Sequence, residues 1–193
     1  MPASRLQCRG RAVARRRAVS DHQNQPIEES ADPSLAELFQ ASHTIPELAA
    51  TTRDEVIAEI VARVAEMGLV TDSRWLEAAL AERERMVPTA MPNGVAFLHA
   101  RHRAAEKFPR QFLFLARSSK GVPFGSPDDR PTHLFFLLAL RKDMAHLRWL
   151  ARLSWICRNR ATVATVLRAN TGEELERALR LATEELPGNL RQK

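Results

Sequence analysis

Three short apolar runs constrain the fold more than any other feature of this sequence. They span residues 94–98, 111–116 and 133–140, and the last two are nearly continuous stretches rich in Phe and Leu. Runs of this length without a polar face predict strands that are buried on both sides. The stretch 121–131 contains two glycines, three prolines and two aspartates, so it predicts a loop before the third run.

Two amphipathic helices are predicted before these runs. Thr52 and Glu55 have the spacing of a capping box, and the apolar stripe that follows them can end at Gly68. Asp72 or Ser73 can cap a second helix, whose apolar side chains also repeat at helical spacing.

Further helices are predicted after the last run. Asp143 can cap the first of them, and a shorter helix follows near residues 161–168. Thr171 and Glu174 have capping-box spacing for a final helix that ends around residues 187–188. Because helices are predicted on both sides of a central group of strands, the pattern indicates a three-layer α/β fold.

The length and the charge distribution indicate one domain with a basic N-terminal arm. The chain has 193 residues, 45% of them apolar, which is enough to bury one core of ordinary size. Residues 1–20 contain six arginines and no acid, which leaves 23 basic and 23 acidic residues in the remainder. We therefore expect a disordered arm at 1–34, a folded domain at 35–188 and a tail at 189–193. The arm has two interpretations. The first is a disordered extension or a gene start placed too early, and the second is an electrostatic tether to phosphate polymers.

The sequence has no feature of a membrane or secreted protein. No segment approaches the roughly 18 to 20 apolar residues that a membrane helix needs, and no signal-peptide stretch follows the N-terminal arginines. We expect a soluble, cytoplasmic protein. Cys8 and Cys157 lack the spacing of a metal site or a disulfide framework, so both are expected to be reduced, with Cys157 in a packing role.

Histidines carry the candidate chemistry of this chain. His99 ends the first apolar run, sixteen residues after Arg83. His102 follows at a spacing that suits metal ligands, but no carboxylate or cysteine completes a ligand set, so a metal site is not predicted. His133 begins a buried run and is expected to be structural.

His146 and Arg83 are each open to two interpretations. With Asp143 as N-cap, His146 is the third helical residue, where backbone N–H groups and the helix dipole attract anions and keep an imidazole neutral. The alternative is a partly exposed first-turn residue. Arg83 continues an apolar helix face, so its guanidinium either extends to solvent, which the sequence alone favours, or points into an anion site. No nucleotide-binding loop, nucleophile elbow or zinc-protease helix is present, and the remaining groups suit the carrying of a phosphoryl group.

An ordered set of short motifs extends from about residue 45 to residue 186. It consists of Arg83-Glu84, Thr89, Asn93-Gly94-Val95-Ala96, His99-Ala100-Arg101, Gly121-Val122-Pro123-Phe124-Gly125 and His146-Leu147. In this order the motifs resemble the EIIA domain of the mannitol/fructose class of the bacterial phosphoenolpyruvate-dependent sugar phosphotransferase system, which includes nitrogen-regulatory EIIA proteins. The resemblance implies a mixed central β-sheet between helical layers.

The resemblance also implies site residues. It makes His99 the phospho-acceptor and places Arg83 and His146 beside it. Two residues depart from the family pattern, since Leu98 stands where the family usually has proline and Pro92 where it commonly has a turn glycine. In the implied reaction a neutral His99 attacks through one ring nitrogen, while a backbone carbonyl holds the other N–H.

Partners are likewise implied by the resemblance. The phosphoryl donor would be HPr or a nitrogen-type carrier, and the acceptor would be an EIIB domain. In a regulatory version, no sugar would receive the phosphoryl group. The resemblance implies no cofactor or metal ion. The docking surface is expected to include Phe97, with Arg101 and Arg103 at its rim. Two alternatives remain open: a non-catalytic EIIA-like regulator that binds partners without phosphoryl transfer, and a different α/β binding domain tethered to nucleic acid by the arginine arm.

Overall fold

The protein is described from a computed structural model over residues 32–102 and 104–191. The helices are α1 (Leu35–Leu38), α2 (Arg53–Glu66), α3 (Ser73–Met86), α4 (Asp143–Arg158), α5 (Arg160–Arg168) and α6 (Gly172–Glu184), with a short 3₁₀ turn at Ala105–Lys107. The strands are β1 (Thr44–Ile45), β2 (Ala90–Met91), β3 (Val95–Leu98), β4 (Phe112–Val122) and β5 (Thr132–Ala139). Cys8, Arg103 and nearly all of the predicted basic arm lie outside the described residues.

The strands form one mixed sheet in the order β1-β4-β5-β3-β2. β1 is parallel to β4 and β3 is parallel to β5, whereas β4 pairs with β5, and β2 with β3, in antiparallel fashion. The structure thus confirms the mixed central sheet. Because β3 and β5 are parallel neighbours, residues that follow their carboxyl ends meet at one edge of the sheet.

Helices cover both faces of this sheet, which confirms the three-layer α/β fold. On one face, α2 and α3 pack against β5 side chains such as Phe135 and Leu137. On the other face, α4 and α6 pack against the intervening β5 side chains Leu134 and Phe136. β5 is therefore buried on both sides, as its continuous apolar sequence predicts.

The caps of α2 and α3 are those that the sequence predicts. The Thr52 side chain accepts from the Glu55 N–H while the Glu55 carboxylate accepts from the Thr52 N–H, so the capping box is complete. Asp72 caps α3 by accepting from the Trp75 N–H at 3.0 Å. Each cap satisfies helix N–H groups that would otherwise lack a partner.

β4 is longer than the sequence predicts. The loop was expected to begin at Gly121, but Val122 still pairs with Thr132 in the sheet. The register shifts between Arg117 and Val122, and Gly121 takes a positive φ of 75° there. A Cβ at Gly121 would lie 2.6 Å from the His133 ring, so only glycine fits this irregular section of strand.

Candidate functional site

His99 directly follows β3, at the carboxyl edge of the sheet. It is partly exposed, and its Nδ1 lies 2.8 Å from the carbonyl oxygen of Phe97. Since a carbonyl oxygen only accepts, this contact requires a hydrogen on Nδ1 and leaves the lone pair of the neutral ring on Nε2. The backbone carbonyl expected to fix the His99 tautomer is therefore that of Phe97.

His146 lies against His99. Their ring centroids are 5.2 Å apart and the ring planes meet at 61°. His146 is 5% exposed, so the interpretation as a partly exposed first-turn residue is wrong. The topology explains the contact, because α4 begins four residues after β5, the parallel neighbour of β3.

The start of α4 differs by one residue from the prediction. The N-cap is Lys142, whose side chain makes no capping hydrogen bond, and Asp143 is the first helical residue. His146 is consequently the fourth helical residue, and its N–H donates to the Lys142 carbonyl at 3.0 Å. An acid at the first helical position is favoured by the helix dipole without acting as a cap, which accounts for the shift.

Arg83 lies in the last turn of α3. Its Nη1 donates to the Val87 carbonyl at 2.5 Å, so the guanidinium closes the carboxyl end of that helix. The structure thus brings two of the three predicted site residues, His99 and His146, into contact, and within the described part of the chain it gives Arg83 a helix-capping contact instead.

Glu84 is a buried acid whose importance was not recognised from the residues themselves. It is 1% exposed, and its carboxylate accepts from both the N–H (2.9 Å) and the hydroxyl of Thr89. Burial raises the pKa of this carboxyl, although the Thr89 hydrogen bonds and the charges of Arg83 and Arg53 oppose that shift. The sequence signal for this buried pair is Glu84, at a position where the apolar side chains of α3 repeat, followed by Thr89 five residues later.

Four large apolar side chains close to the site in the sequence and fold are exposed to solvent. Met86 and Val87 lie at the end of α3, and Met144 and Leu147 lie on either side of His146 in α4; each is at least half exposed. We call these four residues the apolar rim.

Arg101 links the apolar rim to the histidine site. It follows His99 by two residues, and its Nη1 lies 3.5 Å from the sulfur of Met86. Phe97, which was expected in the docking surface, is instead buried against Phe136 with ring centroids 5.7 Å apart. No helix within residues 32–102 and 104–191 is both long and apolar enough to cross a bilayer.

Comparison with known proteins identifies the family. The family model for the phosphoenolpyruvate-dependent sugar phosphotransferase system, EIIA 2, matches residues 37–181. The chain belongs to this EIIA type 2 family. A nitrogen regulatory protein of Bradyrhizobium diazoefficiens is 29% identical over 138 residues, which cover 70% of this chain and 87% of that protein.

Two solved structures show that the fold is shared. The nitrogen regulatory protein IIA-Ntr of Neisseria meningitidis superposes with a TM-score of 0.67 and 22% identity, over 76% of this chain and 99% of that one. The mannitol IIA protein of Escherichia coli, in a complex with phosphorylated enzyme IIB, superposes with a TM-score of 0.64 and 18% identity, over 74% of this chain and 96% of that one. This EIIA type 2 chain thus has the fold of both sugar-specific and nitrogen-regulatory proteins.

Proposed function

We propose that this EIIA protein is a phosphohistidine carrier that accepts a phosphoryl group on Nε2 of His99 from HPr or a nitrogen-type carrier and passes it to an EIIB domain. The observation that carries the proposal is the His99 ring, whose Nδ1–H is held by the Phe97 carbonyl while the ring lies beside His146. In the transfer, the P–N bond of the donor phosphohistidine breaks as a P–N bond to His99 Nε2 forms. The electron pair of the broken bond returns to the donor imidazole.

We propose that the start of α4 and Arg83 meet the charge of the phosphoryl oxygens during transfer. His146 lies in the first turns of α4, where the helix dipole favours an anion. Arg83 uses one of its five N–H donors on the Val87 carbonyl, and the proposal assigns other donors of this guanidinium to the phosphoryl oxygens in the complex with the donor. The proposed step uses no nucleotide, metal ion or other cofactor, because the phosphoryl group arrives already activated.

The two departures from the family pattern are compatible with this role. Leu98 is buried and pairs with Leu137 in the sheet, so the strand stays regular up to the residue before His99. Pro92 lies in the turn between β2 and β3, where Gly94 supplies the positive φ of 76° and donates to the Met91 carbonyl at 3.1 Å. The contact between His99 Nδ1 and the Phe97 carbonyl is present with both Leu98 and Pro92 in place.

The apolar rim and Arg101 support docking of another protein over the site. An apolar centre with arginine at its edge is typical of protein interfaces. A complex with phosphorylated enzyme IIB is known for the mannitol IIA protein of Escherichia coli. We propose an EIIB domain as the acceptor and a cytoplasmic location, where the carrier proteins would reach this surface.

Phosphorylation-dependent regulation is the second candidate function. It is supported by the likeness to the nitrogen regulatory protein of Bradyrhizobium diazoefficiens, of which this chain covers 87%. In this version His99 is phosphorylated in the same way, but the phosphorylated and unphosphorylated forms bind different partners and no EIIB domain receives the group.

Transfer assays with defined carriers test both functions. The protein is incubated with phosphoenolpyruvate, enzyme I and either HPr or a nitrogen-type carrier, and the intact mass is measured before and after addition of an EIIB domain. Gain of one phosphoryl group that is then lost to EIIB supports the transport role. Gain without loss to any EIIB domain supports the regulatory role, and no gain from either carrier contradicts the carrier proposal.

A further inference from the structure

We propose that Glu84 is a positioning residue for His99, because its carboxylate diverts the Thr89 N–H away from the Phe97 carbonyl and leaves that carbonyl to hold the His99 Nδ1–H. The inference rests on the proposed function, since it concerns how the phosphoryl acceptor is prepared. Glu84 does not touch the reacting atoms and acts through two backbone groups.

The register of β2 and β3 shows what Thr89 would do without Glu84. Ala90 pairs with Ala96 and Met91 with Val95, so Thr89 lies opposite Phe97. The Phe97 N–H donates to the Thr89 carbonyl at 3.4 Å, which is one of the two bonds that such an antiparallel pair exchanges. The reciprocal bond would run from the Thr89 N–H to the Phe97 carbonyl.

The Glu84 carboxylate accepts from the Thr89 N–H in place of the Phe97 carbonyl, so the reciprocal bond does not form. The Thr89 N–H donates to Glu84 Oε2 at 2.9 Å, and the Thr89 hydroxyl donates to Oε1 of the same carboxylate. The Phe97 carbonyl accepts instead from His99 Nδ1 at 2.8 Å. A single buried carboxylate therefore ends the β2–β3 ladder one bond early, and the histidine ring uses the acceptor that is released.

The burial of Glu84 makes the arrangement specific. The residue is 1% exposed and Thr89 is 9% exposed, so water has little access to replace either hydrogen bond. If the carboxylate were replaced by an apolar group, the Thr89 N–H would need another acceptor, and the Phe97 carbonyl is the one that the strand register presents to it. The Phe97 carbonyl would then be shared between the Thr89 N–H and the His99 Nδ1–H, which weakens its bond to the ring and shifts His99 towards the tautomer with the hydrogen on Nε2.

Three variants separate this role from simple packing. Glu84→Met keeps the length and burial but offers no oxygen acceptor, whereas Glu84→Gln retains an amide oxygen for the Thr89 N–H. Thr89→Val is the matched control, because it removes the buried hydroxyl donor to Glu84 but keeps the backbone N–H in its place. The proposal predicts a large effect for Glu84→Met and small effects for the other two.

The experiment is ¹⁵N NMR of the imidazole nitrogens of His99, in parallel with the rate of phosphoryl transfer from the donor carrier. Wild type, Glu84→Gln and Thr89→Val should keep the hydrogen on Nδ1 and transfer within about threefold of one another. Glu84→Met should shift His99 towards the Nε2–H tautomer and slow transfer by about tenfold or more, the lower end of the effect seen when outer partners of metal-ligating histidines are removed. Backbone amide spectra of β4 and β5 check that each variant is folded.

The tautomer measurement judges the inference even if the carrier function fails, because it needs no phosphoryl donor. A Glu84→Met protein that keeps the Nδ1–H form overturns the inference. Equal slowing by Glu84→Met and Thr89→Val, without a tautomer change, also overturns it. If Glu84→Met does not fold, scalar coupling across the hydrogen bonds of wild type decides: coupling of the Thr89 amide to the Glu84 carboxyl carbon is expected, and coupling to the Phe97 carbonyl carbon contradicts the diversion.

Discussion

His43 and His99 each hold Nδ1 against a backbone carbonyl, as His133 does against that of Ser118, but His43 and His99 lie in opposite surroundings. His43 Nδ1 lies 3.2 Å from the Leu38 carbonyl, and its ring is 2% exposed between Phe39 and Phe112. His99 Nδ1 lies 2.8 Å from the Phe97 carbonyl, but this ring is partly exposed.

A fixed tautomer alone does not make a histidine a phosphoryl acceptor. Burial lowers the pKa of His43, the nearby charge of Arg110 lowers it further, and the Leu38 hydrogen bond only partly opposes them. Its neutral ring packs between apolar faces, where no partner protein can reach it. His99 combines the same kind of backbone bond with exposure and with the neighbouring His146.

The largest expected effect separates these two histidines directly. His99→Gln should abolish acceptance of the phosphoryl group, because the proposed nucleophile is removed. His43→Gln should still be labelled, since the ring it lacks is shielded from the carrier. Intact mass and the acid lability of the label measure both; labelling of His99→Gln would contradict the assignment.

The second expected effect concerns His146, the histidine that lies beside the His99 ring. His146→Ala should slow transfer by about 100-fold, the usual cost of removing one donor to a developing charge. His146→Gln, which keeps an N–H donor, should recover part of the loss. Rapid-quench measurements at saturating donor carrier give the rate, and an unchanged rate in His146→Ala would mean that the ring contact is only structural.

A smaller effect is expected from the exposed apolar rim around His99, which has no counterpart at His43. Leu147→Glu should raise the KM for the donor carrier about tenfold and leave kcat within about twofold, because a buried interface charge weakens docking rather than chemistry. Leu181→Glu is the matched control, since Leu181 is exposed to a similar extent but lies on α6. Equal KM increases in both variants would argue against a docking surface on α4.

The smallest effect is on stability and tests the burial of His43. Because the folded pKa of His43 lies below its ordinary value of 6.5, the unfolded chain binds the proton more readily. The resulting stability is fully present above pH 6.5 and is lost as the pH falls through the lowered pKa. Urea unfolding at pH 7.5 and 5.5 should show a larger loss of stability in wild type than in His43→Gln. An identical loss would show that His43 does not resist protonation in the folded protein.

Much of this fold was predictable because its signals are local. The Thr52–Glu55 box and the Asp72 cap are fixed by spacing within one helical turn, and the runs that form β4 and β5 are apolar enough to identify buried strands. The end of β4 was not predictable, because Gly121, which begins a glycine- and proline-rich stretch typical of a loop, here continues a strand with an irregular register.

The site was predictable only in part. The positions of His99 and His146 follow from strand and helix ends, but the inward direction of Phe97 does not, because a strand buried on both faces has no alternation that shows which face a residue occupies. The role of Glu84 depends on the register of the two-residue strand β2 against β3. No local pattern reports that register, so the diversion of the Thr89 N–H becomes visible only in three dimensions.

NMR of the phosphorylated protein with ¹⁵N-labelled histidine identifies directly which ring nitrogen carries the phosphoryl group. We expect one phosphoryl group, bonded to Nε2 of His99, with Nδ1 still carrying its hydrogen towards the Phe97 carbonyl. A phosphoryl group on Nδ1 of His99, or on another histidine, would contradict the claim that the backbone prepares this ring for transfer.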